Sequence, residues 1–209
     1  MKLWHRFLLV GLSVLLADQL TKIYIKLSYP LGHEIPWIGR WLKLHYVENP
    51  GAAFGLSLSS LFSSGEGPTS EATPKILLTL ISLGITIGIG FYLYRLSKED
   101  QRLVYPSGLI VGGAIGNLTD RIFYGVLFAS KNHYQGGWFQ GHVVDFIYVD
   151  IWQGVVPSWV PIFGGEYMAL WPVFNIADSC ITVGVIWLLL LTFRKKPSAT
   201  RTGAVSPTP

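Results

Sequence analysis

Four long apolar runs dominate the pattern of hydrophobic and polar positions along the chain. They cover residues 7–25, 76–94, 103–122 and 173–193. A helix that crosses the hydrocarbon core of a bilayer needs roughly 20 mostly apolar residues, so each run predicts a transmembrane helix. The first run also resembles a secretory signal peptide, but Asp18 interrupts it and no A-x-A cleavage site follows within reach. The pattern therefore favours an uncleaved first span.

Lysine and arginine are distributed unevenly over the segments that flank these runs. Residues 1–6, 95–102 and 194–209 together hold nine of them, whereas the longer segments 26–73 and 123–172 hold four. Cytoplasmic loops carry the excess of positive residues. The distribution therefore predicts that both termini are cytoplasmic and that both long connections lie outside the cell.

The two outer connections differ in composition. Residues 37–54 favour β-structure and end in a turn at Pro50-Gly51, whereas residues 57–74 are rich in Ser, Gly, Pro and Thr and predict a flexible surface loop. Residues 123–172 are dense in Trp, Tyr and Phe. Because amphipathic aromatic side chains favour the headgroup level of a bilayer, we expect this connection to lie on the membrane surface.

Charged residues are scarce. They number 28 of 209, or 13%, and half of the chain is hydrophobic, whereas soluble domains average roughly 25% charged residues. These values exclude disordered and collagen-like classes. The net charge of +4 comes from dispersed basic residues, so no nucleic-acid partner is expected. The single cysteine, Cys180, cannot form an internal disulfide, and we expect it to pack as a small hydrophobic residue.

These observations predict a mainly α membrane protein with four transmembrane helices, a small outer β-rich element and surface-lying aromatic loops. Residues 1–196 are expected to form a single integral-membrane domain, and residues 197–209 a disordered cytoplasmic tail. Within the third run, Gly108, Gly112 and Gly116 repeat at a spacing of four, which is typical of close helix packing.

Ionisable residues inside membrane spans are expensive and are candidates for a functional site. Asp18 and Lys22 share one face of the first helix and can pair. Asn117, Asp120 and Arg121 lie at the outer end of the third run, and Asn175 and Asp178 share a face at the start of the fourth.

Asp145 lies in a further apolar stretch on the same side of the membrane as Asp178. An acidic residue in a first helical turn also complements the helix dipole, which explains Asp178 without catalysis. If the two carboxylates approach closely, however, they must share a proton. One carboxylate then activates water while the other protonates a carbonyl oxygen, which hydrolyses a peptide bond without a metal or a covalent intermediate.

Other chemistries have weaker support. His142 and Asp145 are spaced as two metal ligands, but a third is not obvious and there is no H-E-x-x-H motif. A Ser/His/Asp arrangement stays open, although no G-x-S-x-G motif occurs. A non-enzymatic transporter or proton-conducting subunit would also use buried acidic groups, but at the bilayer midplane rather than at one interface. We therefore expect no metal and no cofactor.

Five motifs in order resemble the bacterial lipoprotein signal peptidases, or signal peptidase II. They are D-Q-L-T-K at 18–22, E-N-P-G-A-A-F-G at 48–55, G-G-A-I-G-N-L-T-D-R at 112–121, G-H-V-V-D-F at 141–146 and F-N-I-A-D-S at 174–179. This resemblance implies an aspartic endopeptidase with four spans in the bacterial plasma membrane. We expect the protein to be a monomer. It implies, as partners, membrane lipids and prolipoproteins that are cleaved just before a diacylglyceryl-modified cysteine.

The resemblance also assigns roles to residues. It makes Asp145 and Asp178 the catalytic pair, and it places the remaining motif residues in substrate binding or site support: Asp18, Lys22, Asn49, Gly51, Asn117, Asp120, Arg121 and Asn175. Arg121 would line the site and Asp120 would be structural. The chain departs from compact family members between Arg121 and Asp145, where residues 129–140 predict an extra lid or surface-lying loop. A degenerate, inactive member that binds lipoproteins is a third hypothesis, which the intact aspartate pair disfavours.

Overall fold

The structure, a computed structural model, describes residues 2–51, 68–160, 164–165, 167–169 and 171–194. Within these residues each of the four apolar runs contains a long helix. The helices are α1 (Leu3–Ser28), α2 (Pro68–Glu99), α3 (Val104–Leu127) and α4 (Ile176–Phe193), and a short 3-10 turn over Gln101–Leu103 joins α2 to α3.

Three of these helices are long and apolar enough to cross a membrane: α1, α2 from Ala72 onward, and α4. The structure thus supports three of the four predicted spans by length and composition. The fourth, predicted over residues 103–122, corresponds to helix α3, which carries Asn117, Asp120 and Arg121 and is not among these three.

Helix α3 packs between α1 and α4, and its glycines make this possible. A Cβ atom on Gly112 would lie 2.6 Å from the backbone oxygen of Gly11 in α1, and one on Gly113 would lie 2.5 Å from the oxygen of Ala177 in α4. Real side chains cannot occupy either position without moving a helix. The glycine repeat therefore serves close helix packing, as its spacing predicts.

A three-stranded antiparallel sheet lies beyond the helix ends. Its order is β1 (Glu34–Ile38), β2 (Leu42–Asn49), β3 (Val143–Val149), which confirms the β-structure predicted over residues 37–54 as far as Gly51; residues 52–54 are outside the described residues. One face of the sheet packs on α1 and α3 through a core of Ile25, Leu44, Tyr46, Tyr124, Val144 and Phe146. Two shorter strands, β4 (Gln153–Val155) and β5 (Tyr167–Ala169), form a separate hairpin.

Several predicted boundaries are wrong. Residues 68–74 belong to α2 rather than to a flexible loop, and Pro68 suits the first helical position because the missing N–H has no intrahelical acceptor there. Helix α4 begins at Ile176 rather than at residue 173, because Phe174 pairs with β3 and Asn175 caps the helix. The remainder of the predicted loop, residues 57–67, and the predicted tail 197–209 lie outside the described residues.

The stretch that extends the connection after Arg121 is tied to the helices. Its Phe139 N–H donates to the Ile122 oxygen over 3.1 Å, and the Gly141 N–H donates to the Arg121 oxygen over 2.9 Å. The Thr79 hydroxyl of α2 donates to the Phe139 oxygen over 2.9 Å. These bonds bring β3, which follows directly, against the C-terminal part of α3.

Candidate active site

A short backbone bridge brings the two candidate aspartates together. The amides of Phe146 and Ile147 in β3 donate to the Phe174 oxygen, and the Phe174 N–H donates to the Ile147 oxygen over 2.9 Å. Asp145 precedes this bridge in β3, and Asn175 and Asp178 follow it at the start of α4. The start of a membrane helix is thereby attached to the strand that carries Asp145.

Asn175 connects the two carboxyl groups. Its side-chain amide donates to Asp145 Oδ1 over 2.6 Å, while its own oxygen accepts from the Asp178 backbone N–H over 2.9 Å. The Asp178 carboxylate in turn accepts from the Asn175 backbone N–H over 3.3 Å, which completes a capping box. The residue that starts α4 therefore also orients Asp145.

Two more asparagines donate to the pair. Asn117 of α3 donates to Asp178 Oδ1 over 2.7 Å, and Asn49 at the end of β2 donates to Asp145 Oδ2 over 3.3 Å. The side chains of Asn117 and Asn175 also contact each other over 3.1 Å. Each carboxylate is thus held by amide donors that keep it in one orientation, as a general acid–base pair requires.

The surroundings of Asp145 favour its protonated form. Its side chain is almost fully buried, and burial is the main reason that its pKa rises to about 7, followed by the negative charge of Asp178. Hydrogen bonds from Asn175 and Asn49 act in the opposite direction without cancelling this effect. Asp145 therefore carries a proton at neutral pH far more readily than an exposed aspartate does.

A fully buried ionic triad lies beneath the pair. The Lys22 ammonium group is 2.9 Å from Asp18 Oδ2 and 2.8 Å from Asp120 Oδ2, and none of the three side chains is exposed. The same ammonium donates to Asn117 Oδ1 over 2.8 Å, which links the triad to the aspartate pair. The predicted pairing of Asp18 with Lys22 is therefore confirmed, and Asp120 joins it as a second carboxylate.

The two carboxylates of the triad hold the backbone next to each candidate catalytic residue. Asp18 Oδ1 accepts from the Ala177 N–H over 2.9 Å, and Asp120 Oδ2 accepts from the Val144 N–H over 3.2 Å. Ala177 directly precedes Asp178, and Val144 directly precedes Asp145. The Lys22 ammonium group thus holds the two carboxylates that position the backbone next to Asp145 and Asp178.

Sequence reasoning gave no role to Gln19 or Tyr124. The Gln19 amide donates to Asp120 Oδ1 over 2.8 Å and to the Gly116 oxygen over 3.1 Å, and the Tyr124 hydroxyl donates to the Gln19 side-chain oxygen over 3.1 Å. Tyr124 lies four residues after Asp120, on the same face of α3. The spacing of four residues from Asp120 was therefore the sequence feature that could have placed Tyr124 near the site.

Arg121 and Gly51 meet at the edge of the site. Gly51 has a positive φ of 103° and donates its N–H to Asn49 Oδ1 over 2.8 Å. A Cβ atom at Gly51 would lie 3.0 Å from Arg121 Nη1 and would overlap the side chain of Leu78. Glycine is therefore needed here both for its backbone conformation and for space. All ten of the residues singled out from the sequence gather in this one region.

His142, the alternative metal ligand, has a different role. Its ring stacks on Tyr134 at 3.6 Å, and its pKa falls to about 3, mainly because it is buried and secondarily because Lys75, Lys26 and Arg121 are near. Among the described residues, no three His, Cys, Asp or Glu side chains are grouped as metal ligands.

The apolar helices and the buried carboxylates held between them are typical of a membrane enzyme. Residues 10–194 match the family model described as signal peptidase (SPase) II, and the chain belongs to this family. The predicted activity is thereby confirmed: the protein is an aspartic peptidase, a hydrolase that removes signal peptides in lipoprotein processing.

Several curated relatives and solved structures are similar to the chain. A lipoprotein signal peptidase of Porphyromonas gingivalis is 40% identical over 85% of this chain and 78% of the relative. One of Chlorobaculum parvum is 34% identical over 91% of this chain and 96% of the relative. A solved bacterial membrane enzyme has a TM-score of 0.60 and 26% identity, covering 90% of this chain and 93% of the other.

Proposed function

We propose that Asp145 and Asp178 are the catalytic pair with which this peptidase cleaves diacylglyceryl-modified prolipoproteins just before the lipid-bearing cysteine. The observation that carries the proposal is the position of Asn175, which contacts Asp145 through its side chain and Asp178 through a capping box. Family membership supports the reaction, and the raised pKa of Asp145 supports a pair that shares one proton.

In this mechanism Asp145 holds the shared proton before reaction. A water molecule attacks the carbonyl carbon of the scissile peptide bond, and its proton passes to Asp178, while Asp145 protonates the carbonyl oxygen. The resulting tetrahedral diol collapses when the amide nitrogen takes up a proton from Asp178 and the C–N bond breaks. One diol hydroxyl returns its proton to Asp145 as the new carboxyl group forms, so both aspartates regain their starting protonation states. The asparagines keep both carboxyl groups in place through these transfers.

We further propose that α3 is the fourth membrane span. Its 24 residues give a length of about 36 Å at 1.5 Å per residue, which exceeds the roughly 30 Å of a hydrocarbon core. Its polar residues face α1 and α4 through the triad and Asn117, so they do not require contact with lipid. Residues 1–196 then form one four-span domain.

The excess of Lys and Arg in residues 1–6, 95–102 and 194–209 supports an orientation in the bacterial plasma membrane with both termini in the cytoplasm. The aspartate pair then lies near the outer face. A prolipoprotein with an apolar signal helix and a lipid-anchored cysteine would present its scissile bond at that depth. We propose that the enzyme acts on this substrate as a monomer, with the lipids of the bilayer around it and without a cofactor.

The test is turnover of a diacylglyceryl-modified prolipoprotein by Asp145→Asn and Asp178→Asn, with Asp100→Asn as the matched control. We expect each site variant to lose about 10²- to 10⁴-fold in kcat, because each removes one acid–base group. Asp100 pairs with Arg102 in the turn before α3, and its variant should retain the wild-type rate. Full cleavage by both site variants, inserted at wild-type levels, would overturn the proposal.

A further inference from the structure

The hairpin made by β4, β5 and their flanks exposes large apolar side chains. We define the outer hairpin as the described residues between 151 and 171. Trp159 at its tip is 80% exposed. Further large apolar side chains of the hairpin are exposed by 46% to 68%: Ile151, Trp152, Val155, Tyr167 and Trp171. A group of this size marks an interaction surface rather than isolated surface residues.

The outer hairpin is also nearly free of charge. Residues 151–173 contain one charged residue, Glu166. The neighbouring sheet differs, because its Lys43 bonds Glu34 over 2.9 Å and Asp150 over 2.6 Å. Uncharged surface rich in Trp and Tyr suits the boundary between headgroups and acyl chains, where the ring is buried and its polar atom stays hydrated.

The outer hairpin directly precedes a membrane helix in the chain. Trp171 lies five residues before Ile176, where α4 begins. Side chains along α4, among them Val183 and Leu190, are more than half exposed and require a bilayer to cover them. Only residues 172–175 separate the outer hairpin from this lipid-exposed helix.

Polar contacts fix the outer hairpin to the sheet that carries Asp145. The Tyr167 hydroxyl donates to the Gln153 side-chain oxygen over 3.1 Å, and the Gln153 amide donates to Asp150 Oδ1 over 2.7 Å. Asp150 is held by Lys43 of β2, and this contact lowers the pKa of the Asp150 carboxyl. Because Asp150 directly follows β3, the Gln153–Asp150 bond and the short intervening chain connect the hairpin to the strand of Asp145.

We propose that the outer hairpin inserts into the headgroup region of the outer leaflet and thereby sets the depth of Asp145 relative to the bilayer surface. The partner is a lipid surface. The effect of this depth on catalysis rests on the proposed function, in which Asp145 is a catalytic residue. A scissile bond next to a lipid anchor is confined to a narrow layer, so a fixed site depth would bring the carboxyl pair to that layer.

The single cysteine makes the depth measurable. In a Cys180→Ala background, a nitroxide spin label at Trp159→Cys is compared with labels at two reference positions. One is Val183→Cys on the exposed side of α4, and the other is Glu99→Cys at the polar C-terminal end of α2. The protein is reconstituted in vesicles of phosphatidylethanolamine and phosphatidylglycerol. For each label, the collision rate with oxygen is divided by the collision rate with a water-soluble nickel chelate. We expect this ratio to be several-fold higher at position 159 than at position 99.

A ratio equal to that at position 99 would overturn the proposal. Shielding from both reagents would also overturn it, because it would indicate a protein partner or a second copy of the chain. Val155→Cys repeats the measurement if Trp159→Cys does not fold. No substrate is present, so the result is independent of the catalytic assignment.

A second measurement tests the effect of depth on catalysis. We expect Trp159→Asp to lower turnover several-fold in vesicles but not in detergent micelles, where no leaflet fixes the depth of the substrate. If the ratio of turnover in vesicles to turnover in micelles is the same for Trp159→Asp as for the wild type, the depth-setting role is contradicted.

Discussion

Replacement of Lys22 by methionine tests the buried triad most directly. The substitution keeps the length of the side chain but removes an ammonium group that contacts Asp18, Asp120 and Asn117 at 2.9, 2.8 and 2.8 Å. Two carboxylates with no exposed surface then remain next to each other without a counter-charge. Breaking a buried ion pair in this way costs about 3–5 kcal/mol, a large share of the ~5–15 kcal/mol that stabilises a typical protein.

Loss of stability is only one part of the expected result. The two carboxylates anchor the amides of Val144 and Ala177, so their rearrangement moves both Asp145 and Asp178. A displacement of about 1 Å at reacting groups costs roughly 10²-fold in rate. We therefore expect Lys22→Met to lose about that much kcat even in the fraction of molecules that is folded.

Lys26→Met is the matched control. Lys26 is also buried and forms an ion pair with Glu48, but Glu48 and Asn49 are neighbours on β2 and their side chains point to opposite faces of the strand. Both variants should unfold at lower temperature by tryptophan fluorescence, whereas only Lys22→Met should lose turnover per folded molecule. Equal loss in both variants, or wild-type kcat in folded Lys22→Met, would refute the positioning role.

Three further outcomes are expected. Because its pKa rises to about 7, Asp145 is protonated below that pH, so kcat/KM should fall about tenfold per unit well above it; a rate that stays constant from pH 6 to 9 would contradict this role. Gly112→Ala places a methyl group against Gly11 and should destabilise the protein by about 1–3 kcal/mol, whereas Gly84→Ala has open space and should not lower the melting temperature. Cys180→Ala should retain turnover, and an inactive but folded variant would show that the thiol has a role beyond packing.

Much of the fold was predictable because membrane helices are recognisable in a sequence as long apolar runs. All four apolar runs are helices, and the β-structure before Gly51 is present. The ends of the elements were less predictable. The start of α4 depends on a backbone bridge between Phe174 and Ile147, and such a bridge between distant residues leaves no periodicity in the sequence.

The candidate site was predictable to a similar degree. Because charge is scarce, the aspartates in apolar segments were predictable as site residues: Asp18, Asp120, Asp145 and Asp178. The asparagines were predictable from the family motifs. The bonds from Asp18 and Asp120 to backbone amides could not be foreseen, because every residue carries an amide and only the fold decides which amide lies near a carboxylate. Gln19 was inside a recognised motif, yet its role depends on Tyr124, 105 residues away.

The bond between Asp18 and the Ala177 amide has a consequence for the newly made enzyme. These residues are 159 positions apart and lie on the first and the last helix. The amide becomes available only after nearly the whole chain has left the ribosome and α4 has entered the bilayer. The proposed catalytic pair is thus assembled only near the end of synthesis, because the backbone amide that positions Asp178 belongs to the last helix.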